Sequence, residues 1–210
     1  MAIAVEGHCE CVKEIHEPNF LVLTGGPGAG KTAVLEMVKK YFCSHVKVLP
    51  EAASILFGGG FLREDTIVAK KSAQKLIYQI QKELELIVKD EKCAGLALCD
   101  RGTIDGLAYW PEDDESFWET VGSNIEKEMK NYSKVIHLRT PDLSQGYNQQ
   151  NPVRYESNAE ARKIDDKLLE IWSKHPNREI IDSTDNFMEK LSQAFVEIKK
   201  EVPACCFGKE

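Results

Sequence analysis

The stretch Phe20-Leu21-Val22-Leu23-Thr24-Gly25-Gly26-Pro27-Gly28-Ala29-Gly30-Lys31-Thr32-Ala33-Val34-Leu35 decides the fold. Its apolar run reads as a buried strand. Its glycines read as a loop, and a helical pattern runs from Lys31 through Met37-Val38 to about Phe42. Gly25, Gly30, Lys31 and Thr32 fit G-x-x-x-x-G-K-[ST]. The chemistry explains the composition. Glycine tolerates positive φ and has no Cβ, so the loop Gly25, Gly26, Pro27, Gly28, Ala29 and Gly30 can turn backbone N–H groups inward around an anion. The following helix points its positive end at the same place. Lys31 is expected to reach the β- and γ-phosphates of a nucleoside triphosphate, ATP or GTP, and the Thr32 hydroxyl to bind Mg2+.

Outward from that loop, short apolar runs alternate with helical patterns. Strands are expected at Asn19–Thr24, Val46–Leu49, Gly95–Cys99, Lys134–Arg139 and Arg178–Ile181. A short helix begins at Glu51 and stops at Gly58-Gly59-Gly60, and a long one covers about Thr66–Asp90. Its expected apolar stripe is Ala73, Leu76, Ile77, Ile80, Leu84, Ile87 and Val88. Further helices are predicted at Ser116–Asn131, Ala159–His175 and about Asn186–Val202. Such alternation means right-handed crossovers and a parallel five-stranded sheet covered on both faces, a three-layer α/β fold. The organisation reads as an N-terminal arm, 1–18, one domain, 19–202, and a tail, 203–210. A polar, Asn- and Gln-rich loop runs from Gln145 to Asn158.

Ligands on such sheets sit outside the carboxyl ends of the strands. Asp100 ends the third strand, where phosphate-loop proteins place an acid that holds Mg2+. Arg101 follows it and suits an acceptor or a phosphate. Glu51 ends the second strand and can orient or deprotonate a hydroxyl acceptor, or simply favour the first turn of a helix. Asp105 either binds substrate hydroxyls or starts a helix. Arg154 and Arg162 lie in and after the polar loop, where arginines can close over phosphates and stabilise moving charge. Trp110, Phe117 and Trp118 are either core or a wall of the acceptor pocket.

The net charge of −7 argues against broad nucleic-acid binding while leaving room for a local phosphate pocket. Lys70, Lys71 and Lys75 form a small basic cluster, a solvated face or a weak anionic-lipid contact. No apolar run is long enough to span a membrane, and the N-terminal stretch carries Glu6, Glu10 and Glu14 rather than the basic, apolar pattern of a signal peptide, so a cytoplasmic location is the expectation. The 7 cysteines follow no disulfide framework. His8-Cys9-Glu10-Cys11, with His16 nearby, has soft-metal donors but no second pair at zinc-finger spacing. Cys205-Cys206 reads as part of a tail.

Asp100-Arg101-Gly102-Thr103-Ile104-Asp105 is similar to the Asp-Arg segment of thymidylate kinases, although Gly102 stands where those enzymes carry an aromatic residue. Val135-Ile136-His137-Leu138-Arg139-Thr140-Pro141 is similar to the strand before the lid of deoxynucleoside kinases. With Pro50-Glu51-Ala52-Ala53-Ser54 and Asn151-Pro152-Val153-Arg154, the run from about 20 to 200 resembles the AAA-type ATP-binding domains of the NadR-like kind, small kinase-like P-loop proteins that include the ribosylnicotinamide kinase domain and an insect photoreceptor protein needed for channel translocation. The resemblance implies strand order 2-3-1-4-5 and a lid at about 145–162. It implies a purine seated between the lid arginines and Ser183–Phe187. Two functions are expected from it. One is a kinase moving the γ-phosphoryl of ATP to a small, nucleoside-like acceptor. The other is a slowly hydrolysing ATP or GTP switch that binds protein or anionic lipid.

Overall fold

The computed structural model describes residues 15–141, 158–184 and 186–206. Five parallel strands, β1 (Asn19–Thr24), β2 (Val46–Leu49), β3 (Leu96–Asp100), β4 (Lys134–Leu138) and β5 (Arg178–Ile181), form one sheet in the order β2-β3-β1-β4-β5. The helices are α1 (Lys31–Tyr41), α2 (Ala52–Gly58), α3 (Ile67–Glu91), α4 (Asp114–Val121), α5 (Ile125–Met129), α6 (Asn158–Ile171) and α7 (Phe187–Lys199). The three-layer α/β architecture and the order implied by the resemblance are both observed.

Strand alternation divides the interior in two. Leu21 and Leu23 of β1 and Leu96 and Leu98 of β3 face one side, where they meet Val34, Leu35 and Val38 of α1 and Ala194 and Ile198 of α7. Val22, Ala97 and Cys99 face the other side, with Val88, Ile104, Phe117 and Trp172. Each large side chain buried there contributes about 1.5–3 kcal/mol. Register places Val22 beside Cys99 and Leu23 beside Asp100, so β1 delivers its glycine loop next to the end of β3.

Several expectations are corrected. The helix expected over Ser116–Asn131 is two, because Gly122 takes φ 67° and Asn124 caps α5 by accepting from the Lys127 N–H. The helix expected to reach His175 tightens into a 3-10 turn at Trp172–Lys174. Thr103–Tyr109, to which the sequence assigns no element, is a 3-10 helix. On α3, Leu76 and Ile87 are exposed, whereas the polar Gln81 and Glu85 are buried. Their partners explain it: Tyr132 donates to Glu85 at 2.8 Å, and Gln81 donates to the same carboxylate at 2.9 Å. Of the two readings of Trp110 and Phe117, the core one is observed: both are buried, edge to face at 5.2 Å. Residues 1–14 of the arm and the Gln145–Asn158 loop up to residue 157 lie outside the described residues.

Candidate active site

The glycine loop has the backbone its sequence demands. Gly25, Gly28 and Gly30 take φ of 134°, 80° and 98°, where a side chain is strained. A Cβ on Gly25 would run into the Leu138 carbonyl oxygen. One on Gly26 would come within 2.5 Å of Thr140 Oγ1 and 2.7 Å of the Ala161 carbonyl. The loop is therefore wedged between the ends of β4 and α6.

Lys31 Nζ donates to the carbonyls of Gly25 at 3.0 Å and Gly26 at 3.3 Å. Burial, reinforced by the Arg101 charge, lowers its pKa to about 8 against the opposing pull of Asp100, Glu51 and Asp105. Thr32, one residue on, is exposed on the first turn of α1.

Arg101 joins the strand ends. It adopts φ 76°, uncommon for a residue with a side chain. Its Nε donates to Glu51 Oε1 at 2.9 Å, and its Nη1 donates to the Gly25 carbonyl at 3.2 Å and to Asp105 Oδ2 at 3.4 Å. Glu51 also accepts from Ser54 Oγ. Burial works to raise its pKa, but Arg101, Ser54 and Lys31 together bring it down to about 2. The carboxylate stays ionised.

Asp105, expected either at substrate hydroxyls or at a helix start, is buried in the first turn of the 3-10 helix Thr103–Tyr109. Its two oxygens accept from Thr24 Oγ1 at 2.7 Å, Trp172 Nε1 at 2.7 Å and Arg101. It braces Arg101 from below. Asp100 is different. Its Oδ1 is buried with no hydrogen-bond partner, and burial raises its pKa, with Lys31 the main opposing influence. A buried, orphaned carboxylate oxygen beside the phosphate loop is the donor a hard cation takes. That donor suits Mg2+.

Arg162 is exposed on α6, and Arg154 lies outside the described residues. The sequence reading missed Asp165. This buried α6 carboxylate accepts from the Gly26 N–H at 2.9 Å, the Thr140 N–H at 3.1 Å and His137 Nε2 at 2.9 Å. Burial would raise its pKa; these bonds lower it. Only the wedging of α6 against the loop reveals it, because an acid at mid-helix looks solvated in sequence. Phe187 ends the segment Ser183–Phe187 that the resemblance implies beside a purine. Its half-exposed ring lies where a Cβ on Gly30 would meet it at 2.7 Å.

A family model described as an AAA domain matches residues 20–190. The chain belongs to that family. Among solved structures it is similar to a thymidylate kinase from Candida albicans, 16% identical with a TM-score of 0.60, over 88% of this chain and 93% of that one. It is similar also to a thymidylate kinase from Ehrlichia chaffeensis, 15% identical with a TM-score of 0.56, over 88% of this chain and 98% of that one. No curated protein matches the sequence. At these identities the structural likeness speaks for the fold, and it matches the small P-loop kinases expected from the Asp100-Arg101 segment. This AAA-family chain is a P-loop nucleotide-binding domain of kinase-like architecture. Among its described residues no helix is long and apolar enough to cross a membrane.

Proposed function

We propose that the protein is a kinase that transfers the γ-phosphoryl group of ATP, or of GTP, to a hydroxyl of a small nucleoside-like acceptor. The observation that carries this reading is the Arg101–Glu51 pair at the strand ends, 2.9 Å apart and linked through Gly25 to the phosphate loop. A fixed cation and carboxylate beside the γ-phosphate position suit an acceptor with a hydroxyl and an anionic or polar body. The thymidylate kinase fold of the structural neighbours supports phosphoryl transfer as the reaction class.

In this mechanism the triphosphate takes over the Lys31 ammonium from the carbonyls of Gly25 and Gly26. Thr32 and Asp100 would hold Mg2+, which would neutralise phosphate charge when bound. Glu51 orients the acceptor hydroxyl. With a pKa of about 2 it is a poor base. That suits a loose transition state, in which little nucleophile activation is needed. Arg101 holds the acceptor, Asp105 fixes Arg101, and Arg154 and Arg162 stabilise the charge of the moving group. The acceptor is bound by the protein's own polar groups, without nucleic acid.

The test is the response of Glu51→Gln in the presence of an acceptor pool of nucleosides, nucleotides and ribosylated vitamins. Nucleotide affinity should stay within about twofold while transfer slows about 100-fold or more. Equal loss of binding and transfer would remove Glu51 from the acceptor side.

A further inference from the structure

A second cluster of reactive side chains lies at the other end of the sheet. Cys43 and His45 stand in the turn between α1 and β2, and Cys206 in the 3-10 turn Ala204–Cys206. His45 Nδ1 lies 3.8 Å from Cys43 Sγ and 3.6 Å from Cys206 Sγ, and the three ligand atoms are all within 4.8 Å of one another. Both cysteines are buried and neither is in a disulfide. A tetrahedral ion with metal–sulfur bonds of about 2.3 Å and metal–nitrogen bonds of about 2.0 Å sets its nitrogen and sulfur ligands about 3.6 Å apart and its sulfurs about 3.8 Å apart. The two nitrogen–sulfur spacings, 3.8 and 3.6 Å, sit near the first value, and the two sulfurs lie within 4.8 Å of each other.

The backbone holds the donors in place. The His45 carbonyl accepts from the Gly95 N–H at 2.8 Å and the Leu96 N–H at 3.1 Å, which fixes the residue at the start of β3. Pro203 presses on Gly95, where a Cβ would meet its ring at 2.4 Å. The Cys206 N–H donates to the Pro203 carbonyl at 2.8 Å, and this turn points Cys206 back at His45. The His16 ring borders the cluster, 4.6 Å from that of His45 between centroids.

We propose that Cys43, His45 and Cys206 bind a thiophilic d10 metal ion, Zn2+, which clasps the C-terminal turn to the end of the phosphate-loop helix. Two thiolates and an imidazole are the donor set such an ion selects over Mg2+ or Ca2+. Each thiol gives its proton to solvent as its metal–sulfur bond forms, and neutral His45 donates the Nδ1 lone pair. A water molecule completes the coordination.

The full chain, reduced and stripped with a chelator, is titrated with Zn2+ against a chromogenic competitor. One Zn2+ per chain is expected, with affinity at least about tenfold weaker in Cys43→Ser and in Cys206→Ser. The Cys9→Ser/Cys11→Ser double variant should bind as the parent does. Should a serine variant misfold, alkylation of the parent chain gives the answer. Zn2+ should protect Cys43 and Cys206 but leave the exposed Cys93 reactive. Three results would overturn the proposal: no Zn2+ retained against the competitor, binding lost with Cys9 and Cys11 instead, or a two-dalton mass deficit marking a Cys43–Cys206 disulfide.

Discussion

Lys31 and Asp100 are the two groups that the ligand-free site holds at a cost. Lys31 has a pKa of about 8 there, so its charge is carried at neutral pH and lost above it. Phosphates favour the ammonium and raise that pKa. Between pH 8 and the higher bound-state value, nucleotide binding must therefore take up a proton, and affinity falls by up to about tenfold per pH unit. Calorimetry in buffers of different ionisation enthalpy checks this; no proton uptake at pH 9 would show that Lys31 does not meet the phosphates. For Asp100 the sign is opposite to that of a salt-bridged acid. Its carboxyl pKa is raised, so the ionised form is a burden that appears as pH rises through the folded value. Asp100→Asn should raise the ligand-free Tm by removing that burden. It should also weaken Mg2+-dependent nucleotide binding at least tenfold. A lower Tm with unchanged binding would deny the cation role. Lys31 and Asp100 were legible from motif and strand end alone. The low pKa of Glu51 was not, because it depends on Arg101, 50 residues away and held at φ 76°.

At the scale of elements, α6 controls the shape of the loop. Asp165 takes the Gly26 N–H out of the set available to a phosphate and ties it to β4 through His137 and Thr140. Asp165→Ala leaves two buried backbone donors and a histidine without this acceptor. The expected loss is about 2–4 kcal/mol in denaturant unfolding, with weaker nucleotide binding in the folded fraction. A change under about 0.5 kcal/mol would mean the loop holds its form without α6. The same scale shows what sequence reading reaches. β1, β3 and β4 announce themselves as continuous apolar runs because both their faces are buried. The stripe of α3 misleads, since Gln81 and Glu85 face inward toward Tyr132, a partner 47 residues from Glu85. The Thr103–Tyr109 turn is equally hidden. Glu128 of α5 accepts from Thr103 Oγ1 at 3.0 Å, and Asp105 meets Trp172, contacts no local pattern encodes.

For the molecule as a whole, the alternation of strands and helices gives a parallel sheet, but alternation alone leaves the strand order open. The order came from the resemblance carried by the loop, Glu51 and Asp100-Arg101, and the sheet bears it out. That order puts β1 between β3 and β4, so the phosphate loop emerges beside Asp100 on one side and is wedged by Leu138 and Thr140 on the other. The nucleotide end and the Cys43–His45–Cys206 end then lie at opposite ends of parallel strands, joined by α1. Phosphoryl transfer is tested most directly by following the γ-phosphate itself. The protein is incubated with Mg2+ and γ-labelled ATP, then GTP, with and without the pooled hydroxyl acceptors. The kinase account predicts label on an acceptor, absent in Lys31→Ala. Label found only as slowly released free phosphate, whatever acceptor is present, would contradict it and favour a nucleotide-dependent switch.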